Sequence, residues 1–340
     1  MINWQEFDKE LINAFEVYLP DYKQIDELTM QNIICDIIES KEKYEFAYYK
    51  EYFMYNFHEE NENVRSTFCG EGLYKKCVYN SLKDFDDKVV LFKNKMKTYE
   101  ALKPFYKRDI IEVKDFSDYQ KFVDFANKNR TFIVKETLGS LGRNVNKITI
   151  SKELDAKTVF LNILRYGGCV CESWIEQSDI FKQFNESSVN TVRIVGIYDG
   201  EKVHRMHSII RTGRTGAIVD NAAQGGIFAE VNVDTGEVVS DGYTEINTDQ
   251  FEVHPDSKVK FKGFQIPYWD ELIELINEMH KLCYPISLAG WDLALTDNGW
   301  VLVEGNSKPF MCDMQLLHYK TCGVGLKKEF QFFLDKFSDK

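Results

Sequence analysis

Gly290-Trp291-Asp292-Leu293-Ala294-Leu295-Thr296-Asp297-Asn298-Gly299-Trp300-Val301-Leu302-Val303-Glu304-Gly305-Asn306 is the stretch around which the chain is organised. It reads as two strands joined by a tight turn, because apolar and polar residues alternate on both arms and Asp-Asn-Gly is a strong hairpin signal. A three-residue loop, Asp297 to Gly299, with Gly299 in the left-handed position, pairs Thr296 with Trp300, Leu295 with Val301, Ala294 with Leu302 and Leu293 with Val303. Asp292 then falls opposite Glu304, roughly 5 Å away at Cβ. Asn306 returns to the same face two residues on. Two carboxylates and an amide oxygen thus meet at the open end of an apolar hairpin. Opposed like charges destabilise a sheet, so a positive group is expected between them. Magnesium takes oxygen ligands of this kind, often together with substrate phosphates. The alternative is a surface hairpin with a solvated acidic end.

Length and charge narrow the classes. A chain of 340 residues suggests about two domains, and 44% hydrophobic residues suffice for a sizeable core. A net charge of −12 without a long basic run argues against nucleic acid as the main partner. No apolar run reaches the length of a membrane span and no signal peptide is written. Eight cysteines without CxxC spacing fit a reducing cytoplasm, with Cys169 and Cys171 as core packing on a strand. Six histidines form no zinc-type cluster.

Residues 1 to about 88 read mainly as helix. Trp4, Phe7, Leu11, Phe15 and Tyr18 recur at helical spacing, and Asp26 to Tyr44 and the very aromatic Glu45 to Glu59 follow suit. No glycine precedes Gly70, and Pro20 is the only proline there, so no βαβ nucleotide fold is written in this part. Phe92-Lys93-Asn94-Lys95-Met96-Lys97-Thr98 precedes a short helix ending near Pro104; its lysines are either a solvated face or an anion site. Ser117-Asp118-Tyr119-Gln120 reads as a capping box opening a helix.

Thr131 to Val145 comprises a strand, Lys135, a loop with Gly139, Ser140 and Gly142, and a second strand from Val145 to Ile150. A strand-loop-strand cannot be a Walker loop or a dinucleotide fingerprint, both of which need a helix after the loop. It can still cover phosphates, with glycine backbone N–H groups approaching oxygens and Lys135 supplying a compact charge. An ordinary glycine hairpin is the other reading. A further strand from Gly168 empties into a polar connection after Glu172. In Asn190 to Tyr198, Arg193 interrupts an apolar run, and a buried guanidinium needs an anionic partner: a structural carboxylate or a phosphate. Val203 to Arg211 is the next strand. Asn221-Ala222-Ala223-Gln224-Gly225-Gly226 is a loop able to approach a ligand. Tyr268 to Cys283 is an amphipathic helix with a core face, and a terminal helix runs from Val324 to Phe337.

Taken in order, Lys95, Lys135 with its glycine loop, a strand ending at Glu172, the Arg193 strand and Asp292…Glu304-x-Asn306 resemble the ATP-grasp superfamily. Asn190-Thr191-Val192-Arg193, Asp220-Asn221…Gly225-Gly226, Gly290-Trp291-Asp292 and Glu304-Gly305-Asn306 resemble the sugar-transfer-associated ATP-grasp family, found around bacterial surface-polysaccharide biosynthesis. The resemblance covers roughly residues 40 to 335. It implies an α+β class of two lobes gripping ATP behind a helical N-terminal region: residues 1–88, an N-lobe at 89–172 with the lid loop, and a C-lobe at 173–340 with the metal site. It implies ATP and two magnesium ions as cofactors. Lys95 and Lys135 would bind phosphates, and Gly139, Ser140 and Gly142 would cover them. Glu172 to Ile175 would line the adenine pocket. Asp179 would lie near the ribose, and Asn190 and Asn221 would also face the nucleotide. Arg193 and Arg211 would face the γ-phosphate and acyl-phosphate, and Asp292, Glu304 and Asn306 would hold the metal. Many members of the superfamily begin with a βαβ substrate domain, and this chain begins with helices.

The expected reaction is that of a carboxylate–amine ligase on small molecules, an amino acid or sugar acid, in the cytoplasm. It proceeds through an acyl-phosphate and needs no covalent enzyme intermediate, in keeping with the absence of a nucleophile–base motif. A small-molecule kinase on the same fold and a non-catalytic nucleotide-binding regulator of a glycosyltransferase are the alternatives.

Overall fold

The computed structural model describes residues 8–138, 145–165, 167–221, 225–245 and 249–338, with 86–89 as backbone only. Gly139, Ser140 and Gly142 of the expected lid loop, and Trp4 and Phe7 of the first helix, lie outside the described residues. The chain divides into two compact units: residues 1–84, 243–250 and 309–340, and residues 85–242 and 251–308.

The first unit is helical. Asp8 and Asp26 cap Lys9–Tyr18 and Glu27–Lys43 by accepting backbone N–H groups of Glu10 and Thr29. Their apolar faces, with Phe15, Met30 and Ile37, close on an aromatic cluster of Tyr52, Phe57 and Phe68 and on Leu316. The expected helix from Glu45 to Glu59 is mostly turns: only Lys50–Met54 is helical, and Glu45 and Asn56 sit at φ of 52° and 49°. Aromatic residues there pack from several directions, edge-on and stacked, instead of lining one stripe. Lys327–Phe337 packs on Glu71–Leu82, with Phe330 edge-on to Tyr74 at 5.7 Å. Among the described residues, two carboxylates are buried in this unit. Glu51 accepts from the backbone N–H of Tyr48 and of Glu71. Glu71 accepts from Met311 N–H and from the Cys312 thiol. Burial pushes both carboxyls up to about 7.

The second unit carries two antiparallel sheets. The strands are β1 (Ile110–Val113), β2 (Thr131–Glu136), β3 (Asn146–Thr149), β4 (Cys169–Ser173), β5 (Thr191–Tyr198), β6 (Val203–Thr212), β7 (Ile227–Val231), β8 (Gly242–Tyr243), β9 (Gln250–Phe251), β10 (Leu288–Thr296) and β11 (Gly299–Asn306). The smaller sheet has the order β1-β4-β2-β3. One face buries Phe132, Val134, Cys169 and Cys171 against helices Tyr119–Lys128 and Ala156–Leu164, so the paired cysteines are core packing. The capping box before Tyr119–Lys128 is built on Asp115 and Asp118 instead of Ser117, because both aspartates accept backbone N–H groups there.

The larger sheet runs β11-β10-β5-β6-β7-β8-β9, and the unit boundaries fall inside β8 and β9. Its core face, with Val192, Ile194, Ile210, Leu293 and Leu302, packs with Leu272, Ile276 and Met279 of helix Trp269–Leu282. Among the described residues no helix is long and apolar enough to cross a membrane.

The β10–β11 hairpin departs from the expected register. Its loop has two residues, Asp297 and Asn298, and Thr296 pairs with Gly299, which has the expected positive φ of 89°. Leu293 therefore opposes Leu302, not Val303. Unbroken, that register would put Val303 opposite Asp292 and carry Glu304 to the core face, since a one-residue slip exchanges the faces. A β-bulge at Val303 adds one residue to β11 and restores Asp292 opposite Glu304 and Gly290 opposite Asn306.

Candidate functional site

Strand periodicity builds one polar face from buried strands. Val192 and Ile194 of β5 point into the core, so Thr191 and Arg193 point away from it. Arg193 lies between Asp292 on β10 and Ile209 on β6, and Arg211 lies beside Thr191. The Arg193 guanidinium is bidentate to Asp292, with Nε and Nη2 each 2.7 Å from a carboxylate oxygen. Arg211 Nη1 donates to Asp292 Oδ2 at 3.0 Å, and its Nη2 lies 3.1 Å from Asp220. Thr191 donates its hydroxyl proton to Asp220. Burial works to raise the Asp292 carboxyl, but the two arginines outweigh it and hold it below the usual carboxylate range. At Asp220 burial prevails over Arg211, and that carboxyl is raised.

This network answers two questions raised by the sequence. The anionic partner of Arg193 is a carboxylate, and it is Asp292, one of the three residues expected to hold metal. The positive group beside the Asp292–Glu304 pair is likewise an arginine side chain. Three of the acceptor directions of Asp292 are filled by Arg193 and Arg211, which leaves about one for a further ligand. Glu304 is only half-buried, and its carboxylate accepts no hydrogen bond among the described residues. Among the described residues no three histidine, cysteine or acidic side chains gather as a metal cluster. The donor set is two carboxylates and the Asn306 amide. Hard oxygen donors of this kind, placed in register on one face, fit magnesium.

Behind Glu304 the motif is shaped by packing. A Cβ on Gly305 would lie 2.6 Å from the Trp291 ring and 3.1 Å from Phe92, so only glycine fits between Glu304 and Asn306. Phe92 rests 5.7 Å from Trp291. Asn94 caps the helix Lys95–Tyr106 by accepting from Met96 and Lys97 N–H. The Phe-x-Asn-Lys run thus fixes where Lys95 begins its helix. Lys95, Lys135, Glu172 and Glu304 line one small cleft with Tyr106 and Val303. Burial depresses the Lys95 ammonium, and Glu304 opposes that shift.

Lys135 and Glu172 share the face of the smaller sheet opposite its helices, through their common neighbours Val170 and Ile133. Lys135 Nζ lies 2.6 Å from Glu172, and Arg108 Nη2 lies 2.7 Å from the same carboxylate. Burial would raise Glu172, but Lys135 and Arg108 together bring it down to about 2. The Glu172 side chain is therefore committed to two cations. Arg108 carries no motif that marks it in the sequence; its position two residues before β1 is its only signal.

The remaining expected residues are dispersed. Ile175 is half-buried in the connection after β4. Asp179 is 96% exposed and pairs with Lys182 at 3.2 Å. Asn190 is fully buried, and its side chain bonds Gln177, Phe181, Asn185, Ser188 and Gly213. Those bonds fix the 177–190 connection to the end of β6 and leave no donor for a nucleotide. Asn221 is half-buried beside Asp220, and its carbonyl accepts from Gly226 N–H.

The sequence profile of the sugar-transfer associated ATP-grasp family matches residues 73–329. No curated protein sequence matches the chain. Several solved structures are similar in fold at low identity. The ATP-grasp ligase PsnB, complexed with minimal precursor, Mg and ADP, is 11% identical with a TM-score of 0.45, over 77% of this chain and 62% of that one. D-alanyl-alanine synthetase A from Vibrio cholerae O1 biovar eltor is 11% identical with a TM-score of 0.48, over 74% of this chain and 66% of that one. An L-amino acid ligase from Bacillus licheniformis is 13% identical with a TM-score of 0.45, over 74% of this chain and 49% of that one. The chain spans less than two thirds of the length of each. The profile match covers well over half of the 340 residues and contains the whole Arg193–Asp292–Glu304 face, and the chain belongs to the sugar-transfer associated ATP-grasp family.

Proposed function

We propose that the chain is an ATP-dependent carboxylate–amine ligase, acting on an amino acid or sugar acid in surface-polysaccharide biosynthesis. The observation that carries this reading is the paired-arginine row, Arg211–Asp292–Arg193, on the face that also bears Glu304. A carboxylate is a poor electrophile until phosphorylated, and its activation places dense negative charge at one spot. Arg193 and Arg211 place two guanidinium charges there, attractive to phosphoryl oxygens, although the donors that bond Asp292 and Asp220 are already engaged. Asp292 holds both guanidinium groups in place, so little reorganisation is needed as charge develops. Lys95 and Lys135 take the nucleotide phosphates, Lys135 exchanging its contact with Glu172 for a phosphate. Two magnesium ions, held by Glu304, Asn306 and the remaining acceptor site of Asp292, would supply charge neutralisation of the phosphates when bound. The substrate carboxylate takes the γ-phosphoryl group of ATP with release of ADP; the amine then attacks the acyl carbon, the bond to phosphate breaks, and the amine gives up a proton to the departing phosphate as the amide forms.

The test is ADP release with panels of acids, each with and without amines, and with hydroxylamine as a trap. Release that requires both an acid and an amine, with hydroxamate formed in the trap, supports ligation. ADP release without any amine, accompanied by a stable phosphorylated product, makes the protein a kinase. Nucleotide binding with no ADP release across the panels makes it a regulator.

A further inference from the structure

Arg108 bonds residues on two strands that line the cleft, Glu172 of β4 and Val303 of β11. It follows Lys107, which is in the left-handed region, and its side chain is 6% exposed. One edge of its guanidinium, Nε at 3.1 Å and Nη2 at 2.7 Å, holds Glu172 Oε2. The other reaches the backbone of β11: Nη1 donates to the Leu302 carbonyl, and Nη2 lies 3.4 Å from the Val303 carbonyl. Its face also stacks over Tyr106, 4.7 Å from the ring centroid. Leu302 and Val303 are the residues at which β11 bulges. A bulge takes ladder groups out of their regular pairing, and a buried carbonyl without a donor is costly. Arg108 supplies donors to the two successive carbonyls at the bulge.

We propose that Arg108 is a positioning residue that pins the β11 bulge, and so aims Glu304 at the reactive face, while its other edge holds Glu172 and through it Lys135. This inference rests on the ligase reading above. It assigns to one side chain the alignment of the metal-side carboxylate with the phosphate-side lysine. Without the bulge the register of the two-residue loop carries Glu304 to the core face. Stabilising the bulge is therefore a condition for using Glu304 at all. Lysine at 108 can neutralise Glu172 but has no planar fork to reach two carbonyls as well.

The experiment compares wild type with Arg108→Lys, and with Arg108→Met if the lysine variant is silent. Manganese binding in the presence of ADP is read by electron paramagnetic resonance, alongside ADP affinity by calorimetry, melting temperature, and kcat and KM for ATP. The expected result for Arg108→Lys is a loss of about 10–100-fold in manganese affinity, the usual effect of removing a group that orients a metal ligand. ADP affinity without metal stays within about threefold, and kcat falls more than KM changes. A lower melting temperature with wild-type manganese affinity and kcat in the folded fraction makes Arg108 merely structural and overturns the proposal. Wild-type values throughout in both variants overturn it as well. A wild-type protein that binds neither ADP nor manganese instead refutes the ligase reading on which the proposal rests.

Discussion

Asp292→Asn tests the arginine network by the sign of its effect on stability. In the amide, Oδ1 still accepts from Arg193 Nε, but an NH2 group replaces Oδ2. It then faces two donors, Arg193 Nη2 at 2.7 Å and Arg211 Nη1 at 3.0 Å. Arg211 keeps Asp220, whereas Arg193 loses its only carboxylate among the described contacts. Hydrogen bonds to charged groups contribute about 1.5–3 kcal/mol each, and breaking one side of a buried pair costs about 3–5 kcal/mol. Arg193 retains 21% exposure, which places the expected loss near the lower end, about 3 kcal/mol. Urea unfolding in EDTA measures it without metal. Trp174, Trp269, Trp291 and Trp300 all lie in the unit that carries the site, so their fluorescence follows its unfolding. Combining Arg193→Met with Asp292→Asn should recover part of the loss, with a coupling of about 1–3 kcal/mol. A carboxylate that only awaited a cation would repel Glu304 in EDTA, and neutralising it would leave stability unchanged or higher. Asp292→Asn at or above wild-type stability in EDTA would refute the network.

Glu304→Gln should leave ADP affinity within a few-fold, because Lys95 and Lys135 remain, yet lower turnover by about a hundred- to a thousandfold; ATP hydrolysis at saturating magnesium reads it, and an unchanged rate and magnesium dependence would remove Glu304 from the site. Lys135→Met should weaken nucleotide binding while the fold persists, since Arg108 still pairs with Glu172; calorimetry showing unchanged affinity contradicts it. The Glu71 carboxyl is raised from 4.5 to about 7, so the fold favours its protonated form. Its contribution is fully present below pH 4.5, fades as pH rises towards 7 and is flat above that, a total of about 3 kcal/mol. Glu51 titrates over the same range and couples to it. Glu71→Gln should therefore flatten part of the stability loss between pH 5 and pH 8, and an identical slope in wild type and variant would show that Glu71 is ionised throughout.

The hairpin shows how far the sequence could be read. The opposition of Asp292 and Glu304 follows from alternation and a turn, and it is present. A three-residue loop without a bulge and a two-residue loop with one give the same partner for Asp292. Alternation reports faces, and both routes leave Asp292 and Glu304 on the same one. Bulges leave no such signature, because an extra residue only interrupts the pattern locally. Arg193 and Asp292 were each recognisable, but their bidentate pairing depends on β5 lying beside β10, a neighbourhood between residues about a hundred apart in sequence. Arg108 escapes a sequence reading for a related reason: apart from Glu172 its partners are backbone carbonyls, which every residue has. The aromatic Glu45–Glu59 run reads as helix and is mostly turns, because aromatic density marks burial without specifying backbone.

The helical unit is discontinuous, and this bears on its synthesis. Its first 84 residues form one body with 243–250 and 309–340. Phe15, Tyr52, Phe57 and Phe68 share their cluster with Cys312, Leu316 and Tyr319. Translation adds roughly 5–20 residues per second, so the N-terminal aromatics emerge on the order of tens of seconds before those closing residues. Through that interval the nascent helices expose a sticky surface, and the sheet-bearing unit, nearly contiguous in sequence, is complete at residue 308, before the closing residues follow. The part of the chain made first is the part finished last, and a chaperone that shields aromatic helices has its window of action there.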